Sequence, residues 1–360
     1  MAEKPYMEVT FRQRAVSFME RSERGIAALI IRDDTDATVY KEYRNNTEAL
    51  ADKAKYTEAN LRAIKDVFIS APYKLAVVRI LDGKGIEDAL KAIADNLDTC
   101  RIGVADGTAE DTATVASWIK SMEKEGRTYK ALLYNASAPD SMHIENFTTA
   151  TVTYADDRGQ KAGSAYIPSL LGMLAAANVS RSVTYMACTD LVDCAKSVDA
   201  AADVKDGKLI LERSGNTVRI ASGCNSQTTT DGETKTEDMQ YIETVEAMDM
   251  IADDIRAEFR DNYLGNYRNT YDNQMLFIGA VNGYLRDLEQ ENILDRDYEN
   301  TAYIDVNAQR AAWIESGKVD AAEWTDAQVR KTPFKRTVYL VLDIKINGSM
   351  EKLYVAVQMY

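Results

Sequence analysis

The chain has 360 residues and a formal net charge of −14, and these numbers exclude several classes of protein. A basic surface is the usual footprint of nucleic-acid binding, so the acidic balance argues against a nucleic-acid partner. No apolar run approaches the roughly 20 residues of a membrane-spanning helix, and the N-terminal stretch lacks an apolar segment of signal-peptide length. We therefore expect synthesis in the cytoplasm, without membrane insertion or an encoded export route. The length predicts two or three domains, at about 100–200 residues each.

The first half of the chain alternates strand and helix patterns. Its first 22 residues are polar and contain one strand-like piece, 7–18, which predicts an arm and not the start of a core. The patterns that follow predict strands at 25–34, 38–43, 74–81, 100–106, 129–135 and 145–155, and helices at 57–70, 86–97 and 109–124. Such alternation predicts a parallel or mixed sheet with helices on its faces.

The second half mixes hairpins with longer helices. The patterns predict helices at 162–180, 237–262 and 270–290, a hairpin at 208–223 and a strand at 302–307. Small residues in the helix at 162–180 predict close packing against a sheet or another helix. A short helix is expected to open at Thr325, where Gln328 completes a capping box. Asn347-Gly348 predicts a hairpin turn between strands 336–346 and 352–359.

Charge is unevenly distributed in this half. Residues 231–261 carry 11 acidic and 3 basic side chains, whereas residues 330–360 carry 6 basic and 2 acidic ones. Two solvated faces would explain this, and the carboxylates Asp249, Asp253, Asp254 and Glu258 are expected to be solvated because they lie opposite an apolar stripe. Alternatively, acidic and basic surfaces meet across subunits or on a partner.

A search for chemistry finds little. The only histidine, His143, lies in a predicted loop and is expected to be an ordinary polar residue. No G-x-S-x-G, Walker A or EF-hand motif is present, and the strand–helix junction with Gly83 and Gly85 has Asp88 where a dinucleotide fingerprint needs a third glycine. The cysteines form no C-x-x-C pair. We predict no catalytic residue, cofactor or metal site and no enzymatic activity. The alternative is a soluble α/β enzyme or ligand-binding protein with an unrecognised site.

Four stretches in order carry a family resemblance. They are the small-residue helix 162–185, the hairpin segment 207–229, the helix and loop 248–269, and the closing MEKLYVAVQM. The third stretch is similar to a "D-x-I-x-x-D-I … F … Y-x-G … N" pattern, with matches at Asp249, Ile251, Asp254, Ile255, Phe259, Tyr263, Gly265 and Asn269. Together they resemble the contractile tail sheath proteins of bacteriophages and phage-derived bacteriocins. The opening RGIAALIIRD also resembles the compact sheath proteins of Gram-positive myophages and R-type bacteriocins.

This resemblance implies a structural subunit that polymerises as stacked hexameric rings around an inner tube. The sheath contracts on a trigger at the baseplate and drives the tube through a target cell envelope. The implied partners are other copies of the chain, the inner tail tube protein and baseplate proteins, in a phage tail or a released phage-tail-like particle. Phage and bacteriocin origins both stay open. A tail-tube protein is disfavoured, because tube proteins are typically small β-barrels.

The implied fold is multidomain, α/β and α+β. We expect an N-terminal arm (1–22), a small N-terminal α/β domain (23–98), a central α/β sheath domain of subtilisin-like layout (99–235), a C-terminal α+β domain facing the tube (236–348) and a C-terminal strand or arm (349–360).

In this family, terminal arms add strands to sheets of neighbouring subunits. The corresponding residues here are Glu8, Val9, Thr10 and Phe11 at the N-terminus, and Glu351, Lys352, Leu353, Tyr354, Val355 and Val357 at the C-terminus. The alternative is an ordinary hairpin of 336–346 with 352–359 inside one subunit, and both hold if that hairpin itself receives a neighbour's strand. The candidate tube contacts are Arg330, Lys331, Lys335 and Arg336.

Overall fold

The computed structural model describes Met19 and residues 23–177, 179 and 181–359, which fall into two compact units. The first unit contains the described residues from 23 to Asp253 together with the segment from Asn347, and the second contains Met19 and 254–346. The predicted boundary at 98/99 lies inside the first unit, because strand Ile26–Arg32 pairs with strand Arg101–Val104 across it. The predicted boundary at 235/236 also lies inside this unit, which continues to Asp253.

The first unit begins with a strand-rich α/β region. Its elements are β1 (Ile26–Arg32), β2 (Tyr40–Tyr43), α1 (Asn46–Ala51), α2 (Glu58–Val67), β3 (Lys74–Ile80), α3 (Ile86–Asn96), β4 (Arg101–Val104), α4 (Ala109–Lys124), β5 (Lys130–Tyr134) and β6 (Ile144–Phe147). It continues with β7 (Thr151–Tyr154), β8 (Gln160–Ala162), α5 (Ile167–Ala176), β9 (Leu191–Cys194), α6 (Ala200–Lys205), β10 (Lys208–Leu209), β11 (Leu211–Ser214), β12 (Thr217–Ile220) and most of α7 (Ile242–Glu258).

A seven-stranded sheet organises this unit, in the order β10–β6–β5–β4–β1–β3–β2. All neighbours pair in parallel except β2, which runs antiparallel to β3. Both faces of β1 are buried: Leu29 and Ile31 join the core that includes α2 and α5, while Ala28 and Ile30 join the core beneath α3 and α4. Strands covered on both faces read as continuous apolar runs, and the predicted α/β sheet is confirmed.

Glycines allow α5 to pack closely, as its small residues predicted. A Cβ on Gly172 would lie 2.0 Å from the carbonyl oxygen of Val67 at the end of α2, and one on Gly163 would lie 1.7 Å from that of Thr149. The α-helix is nevertheless shorter than predicted. Residues 160–162 form β8, a 3₁₀ turn follows, and α5 starts at Ile167 with Pro168 in its first turn, where proline is tolerated.

Two predicted strand segments each divide between sheets. The run 145–155 splits into β6, in the large sheet, and β7, at the centre of a sheet in the order β8–β7–β9. The predicted hairpin 208–223 splits similarly, because β10 joins β6 while β11 and β12 form the hairpin itself. Gly215 occupies the hairpin turn with φ +61°, the conformation that its turn signal predicts.

The second unit contains the end of α7, a π-helical turn (Phe259–Tyr263), α8 (Tyr271–Gln290), β13 (Thr301–Ile304), α9 (Val306–Glu315), α10 (Asp326–Arg330) and β14 (Leu340–Asp343). The capping box at Thr325 and Gln328 is confirmed. Helix α9 was not predicted, since the strand pattern ran on to residue 307. Asp305 instead accepts the backbone N–H of Ala308 and caps the helix. No helix among the residues described is both long and apolar enough to cross a membrane.

The predicted terminal hairpin is wrong. Strand β14 pairs antiparallel with β13, and residues 352–359 are not part of any strand. Neither Asn347 nor Gly348 has a positive φ, which a two-residue type I′ turn requires at both positions. The alternative of an ordinary hairpin between 336–346 and 352–359 inside one subunit is therefore contradicted.

Candidate functional site: an exposed C-terminal arm, a basic turn and a buried charge cluster

Residues 349–359, the terminal arm, lie exposed on the first unit. The apolar side chains of Leu353, Tyr354, Val355, Val357 and Met359 are between 70% and 90% exposed. Exposed large apolar side chains in such a run mark an interaction site or an aggregation hazard. The predicted C-terminal arm residues therefore lie on one exposed segment.

The base of the terminal arm is fixed by hydrogen bonds within its unit. The backbone N–H of Ser349 donates to Glu243 Oε1 at 2.8 Å, and the Ser349 hydroxyl donates to Glu243 Oε2. Ser182 Oγ donates to Glu351 Oε1 at 3.2 Å. The segment is thus tethered at 349–351 while its apolar part projects. The predicted N-terminal arm residues Glu8–Phe11 lie outside the residues that the structure describes.

The sheet of β13 and β14 has one blocked edge and one open edge. On the outer side of β13, Ala302 N–H donates to Asn282 Oδ1 at 2.6 Å, and Asn282 Nδ2 donates to Ala302 O at 3.2 Å. Ala302 lies opposite Leu342. Two residues directly opposite each other in an antiparallel pair point their N–H and C=O groups either both toward each other or both away from each other. Because the groups of Ala302 point away from β14, those of Leu342 point away from β13, to the outer side of β14. In the part of the chain that the structure describes, no strand pairs with that side.

The four predicted tube-contact cations gather on one rigid segment, the basic turn (330–336). Arg330, Lys331, Lys335 and Arg336 are all exposed. Side chains behind the turn hold its carbonyl groups: Gln309 Nε2 donates to Val329 O at 2.7 Å, Trp313 Nε1 donates to Thr332 O at 3.0 Å, and Asn269 Nδ2 donates to Thr337 O at 3.0 Å. The backbone is thus fixed from inside while the cations project.

A buried charge cluster joins α7 to the sheet of the first unit. The cluster contains the cations Arg101, Lys130 and His143 and the carboxylates Glu145, Glu246 and Asp249, with Glu123 at its edge. Lys130 Nζ lies 2.6 Å from Asp249 Oδ2 and 3.4 Å from Glu246 Oε2. Arg101, the first residue of β4, contacts both Glu145 and Glu246. Buried charges are tolerated only when paired in this way.

His143 is part of this cluster and is not an ordinary loop residue. It is 3% exposed, and its Nε2 lies 3.1 Å from Asp249 Oδ1 while Nδ1 lies 3.5 Å from Glu123 Oε2. Burial alone would lower the pKa of the imidazole, but the hydrogen bond to Asp249 and the nearby Glu123 carboxylate outweigh it and raise the pKa to about 9. The protonated ring balances the cluster at three cations to the three carboxylates Glu145, Glu246 and Asp249.

The expected solvation of the α7 carboxylates is wrong. In the first unit, Asp249 is buried in the cluster, and Asp253 accepts hydrogen bonds from Arg24 and Thr128 at 2.8 and 2.6 Å. In the second unit, Asp254 is fully buried and accepts the Tyr284 hydroxyl at 2.6 Å, and Glu258 is also buried. Much of the acidic excess in 231–261 therefore serves the interior and not a solvated face.

His143 makes the stability of the chain depend on pH. Because the folded pKa of about 9 exceeds the ordinary 6.5, the stabilisation is complete below pH 6.5 and is lost as pH rises through 9. Relative to His143→Gln, the wild type should lose roughly 3 kcal/mol of unfolding free energy over this range. Urea unfolding of both proteins at several pH values measures it. Burial also raises the pKa values of the cysteine thiols. Their contribution to the pH dependence is the same in both proteins, so it cancels when the two unfolding free energies are subtracted at each pH. A difference that does not change with pH contradicts the assignment.

Comparison with known proteins matches this chain to tail sheath proteins. Residues 234–360 match the phage tail sheath C-terminal domain. A tail sheath protein of Clostridium phage phiCD119 is 29% identical over 361 residues, which covers 98% of each chain.

Solved structures agree with the sequence matches. A sheath tail protein from Desulfitobacterium hafniense superposes with a TM-score of 0.69 at 16% identity, over 83% of this chain and 94% of that one. The helical sheath of the anti-feeding prophage in its contracted state superposes with a TM-score of 0.68 at 12% identity, over 100% and 99% of the chains. These matches confirm the predicted resemblance: residues 234–360 are similar to the phage tail sheath C-terminal domain, and the chain has the fold of the solved sheath proteins.

Proposed function

We propose that this chain is the structural subunit of a contractile sheath, which polymerises as stacked hexameric rings around an inner tube and contracts to drive that tube through a cell envelope. The relative from Clostridium phage phiCD119 is a tail sheath protein, and the anti-feeding prophage neighbours come from a contracted sheath and a baseplate. By analogy, this chain would assemble with copies of itself and lie beside a baseplate, in a phage tail or a tail-like particle. Its role is structural and not enzymatic, since its single histidine balances a buried charge cluster.

The exposed terminal arm is the observation that carries this proposal. An isolated segment with five large apolar side chains at least 70% exposed needs a partner that covers it. Pairing with the sheet of another subunit satisfies its backbone groups and buries those side chains in one step. Because main-chain hydrogen bonds depend little on side-chain identity, such a joint holds while subunits rotate about the tether at Ser349 and Glu351. The predicted N-terminal arm, Glu8–Phe11, would make a second joint of the same kind.

The open edge of β14 is the acceptor that fits the terminal arm. The opposite edge, along β13, is occupied by Asn282, so a third strand adds only beside β14. The side chains of Leu340, Val341 and Leu342 are half-buried, and the side chains of an incoming strand would bury them further. The hairpin expected from the sequence is thereby replaced by a pairing between copies.

Disulfide trapping tests this joint. With cysteine at Leu342 and, in separate variants, at Leu353, Val355 or Val357, one register should place the two side chains opposite each other, about 4.5–5.5 Å apart at Cβ. Mild oxidation should then give a ladder of covalent oligomers on a non-reducing gel. Three native cysteines are buried and stay unreactive.

Two comparisons make the trapping result decisive. Moving the acceptor cysteine from Leu342 to Val319, which is 70% exposed in the same unit, should abolish the ladder. Strand addition at β14 is refuted if every arm position gives only a monomer with an internal cross-link. It is also refuted if the chain polymerises but no arm position gives a cross-link.

The tube contact is assigned to the basic turn. Arg330, Lys331, Lys335 and Arg336 project from a backbone that three side chains hold in place, and none of them forms an ion pair with another residue that the structure describes. Exposed charge contacts are individually weak, and a sheath that must slide along its tube needs contacts that break and form again.

A further inference from the structure

The motif that ends in Asn269 is physically joined to the basic turn. Asn269 Nδ2 lies 3.3 Å from Phe334 O, 3.4 Å from Lys335 O and 3.0 Å from Thr337 O. Its Oδ1 accepts a hydrogen bond of 2.7 Å from Nε2 of Gln274, which is buried in α8. One amide therefore connects the loop that precedes α8 with the turn that carries the four cations.

The same loop presents two apolar side chains to solvent. Leu264 is 61% exposed and Tyr267 is 41% exposed. The loop is anchored at this point: the Tyr263 ring is buried and packs at a tilt against the rings of Phe277 and Tyr267, with centroids 4.8 and 5.2 Å away. Gly265 reverses the chain with φ +77°. The Tyr-x-Gly-x-x-x-Asn spacing thus holds an aliphatic and an aromatic side chain outward on an anchored loop.

We propose that loop 263–269 and the basic turn form one docking surface for an acidic protein surface that contains an apolar recess. Leu264 and Tyr267 would be its apolar centre, the four cations its charged rim, and Asn269 the residue that positions the two against each other. This is the arrangement of a stable protein interface, in which a few apolar anchors carry the binding and charged groups surround them. The inference rests on the proposed function, which makes the occupant the inner tube.

The charge of the basic turn indicates that its partner presents an acidic surface. The basic turn carries four cations within seven residues of a chain whose net charge is −14, and the residues described supply none of them with a carboxylate partner. Lys335 lies over the Phe334 ring with Nζ 4.9 Å from its centroid and has a positive φ of 44°, a strained geometry for a lysine. The rigid turn therefore holds its charge ready for an external acidic surface.

The experiment uses the full chain and an affinity-tagged tail tube protein from the same particle, co-expressed and purified on the tag. The double variant Leu264→Ala/Tyr267→Ala should reduce the sheath subunit retained on the tube at least about tenfold. Val319→Ala, an equally conservative change at an exposed position of the same unit, should leave retention unchanged. Replacement of the four cations by glutamate should abolish retention. The charge reversal Arg286→Glu, at an exposed position of α8, should not.

Salt separates the roles of these residues. Retention of the wild type and of Leu264→Ala/Tyr267→Ala should fall in parallel as NaCl rises to about 1 M, where charges are screened beyond about 3 Å. Asn269→Ala should weaken both retention and its salt dependence, because the cations lose their fixed position. A residue that merely stabilised the fold would leave the salt dependence unchanged.

Pelleting of polymers formed without the tube completes the test. We expect all variants to self-assemble like the wild type. If the double variant keeps normal tube retention, or if the variants lose self-assembly instead because a second copy is the occupant, the docking surface is refuted while the proposed function stands. If the wild type neither polymerises nor is retained by the tube, the proposed function fails and the inference fails with it.

Discussion

Deletion of Glu351–Tyr360 is expected to leave a folded subunit that no longer polymerises. In the part of this segment that the structure describes, the apolar side chains are exposed, and the tether to Ser182 is a single surface hydrogen bond of 3.2 Å. Its loss should cost no more than about 1 kcal/mol of unfolding free energy. Urea unfolding should therefore be close to that of the wild type, while electron microscopy and pelleting should show no sheath. If the truncated chain instead unfolds, the segment belongs to its own core.

A matched pair of full-length variants isolates the backbone contribution. Val355→Pro/Val357→Pro removes two N–H donors and should abolish assembly as the deletion does, because proline cannot donate to a strand ladder. Val355→Thr/Val357→Thr keeps the donors and the β-branched shape, and it should still assemble. Equal behaviour of the two variants would mean that side-chain contacts, and not strand addition, make the joint.

Lys130→Met is expected to destabilise the first unit by about 3–5 kcal/mol, because it leaves carboxylates buried without a counter-charge. The Lys130 side chain is almost fully buried, and it lies within salt-bridge distance of Asp249 and Glu246. Burial alone would lower the pKa of the lysine, but these carboxylates outweigh it and raise the pKa. The ammonium is therefore charged at neutral pH. Urea unfolding at pH 7 measures the loss.

Two comparisons test whether the cluster is responsible. Lys91→Met, at an exposed position of α3, should change stability by less than about 0.5 kcal/mol. In Lys130→Met/Asp249→Asn, the uncompensated charge is reduced, so the double variant should be at least about 1 kcal/mol more stable than the sum of the single effects. Additive effects, or a Lys130→Met protein as stable as Lys91→Met, would show that the cluster does not hold α7 to the sheet.

Local patterns were sufficient for the large sheet but not for the last strands. Continuous apolar runs such as β1, alternating with amphipathic helices, specify a parallel sheet covered on both faces. The pairing of β14 is decided elsewhere: α8 places Asn282 on one edge of β13, which leaves the other edge for β14. The turn signal at Asn347-Gly348 contains no information about whether β14 pairs with β13 or with residues 352–359. Helix α9 escaped prediction because only Gln309 is buried on it, so it has no apolar stripe.

The buried charge cluster was beyond reach of the sequence for a related reason. A polar stripe on α7 is typical of a solvated face, and it becomes an internal one only because Arg101 and Lys130 start neighbouring strands beneath it. The first of these lies 145 residues away from its partner Glu246, and no local period reports such a pair. The exposure of the C-terminal segment and of the basic turn, in contrast, follows from local sequence, because an isolated strand pattern at a terminus and a run of cations need no distant partner.

Electron microscopy of the purified, concentrated chain at neutral pH, with and without its tail tube protein, tests the central claim most directly. A sheath subunit should form hollow, striated tubes built from six-fold rings, either alone or around the tube, and the Glu351–Tyr360 deletion should form none under the same conditions. A wild-type chain that stays monomeric on a sizing column, alone and beside the assembled tube, would contradict the account.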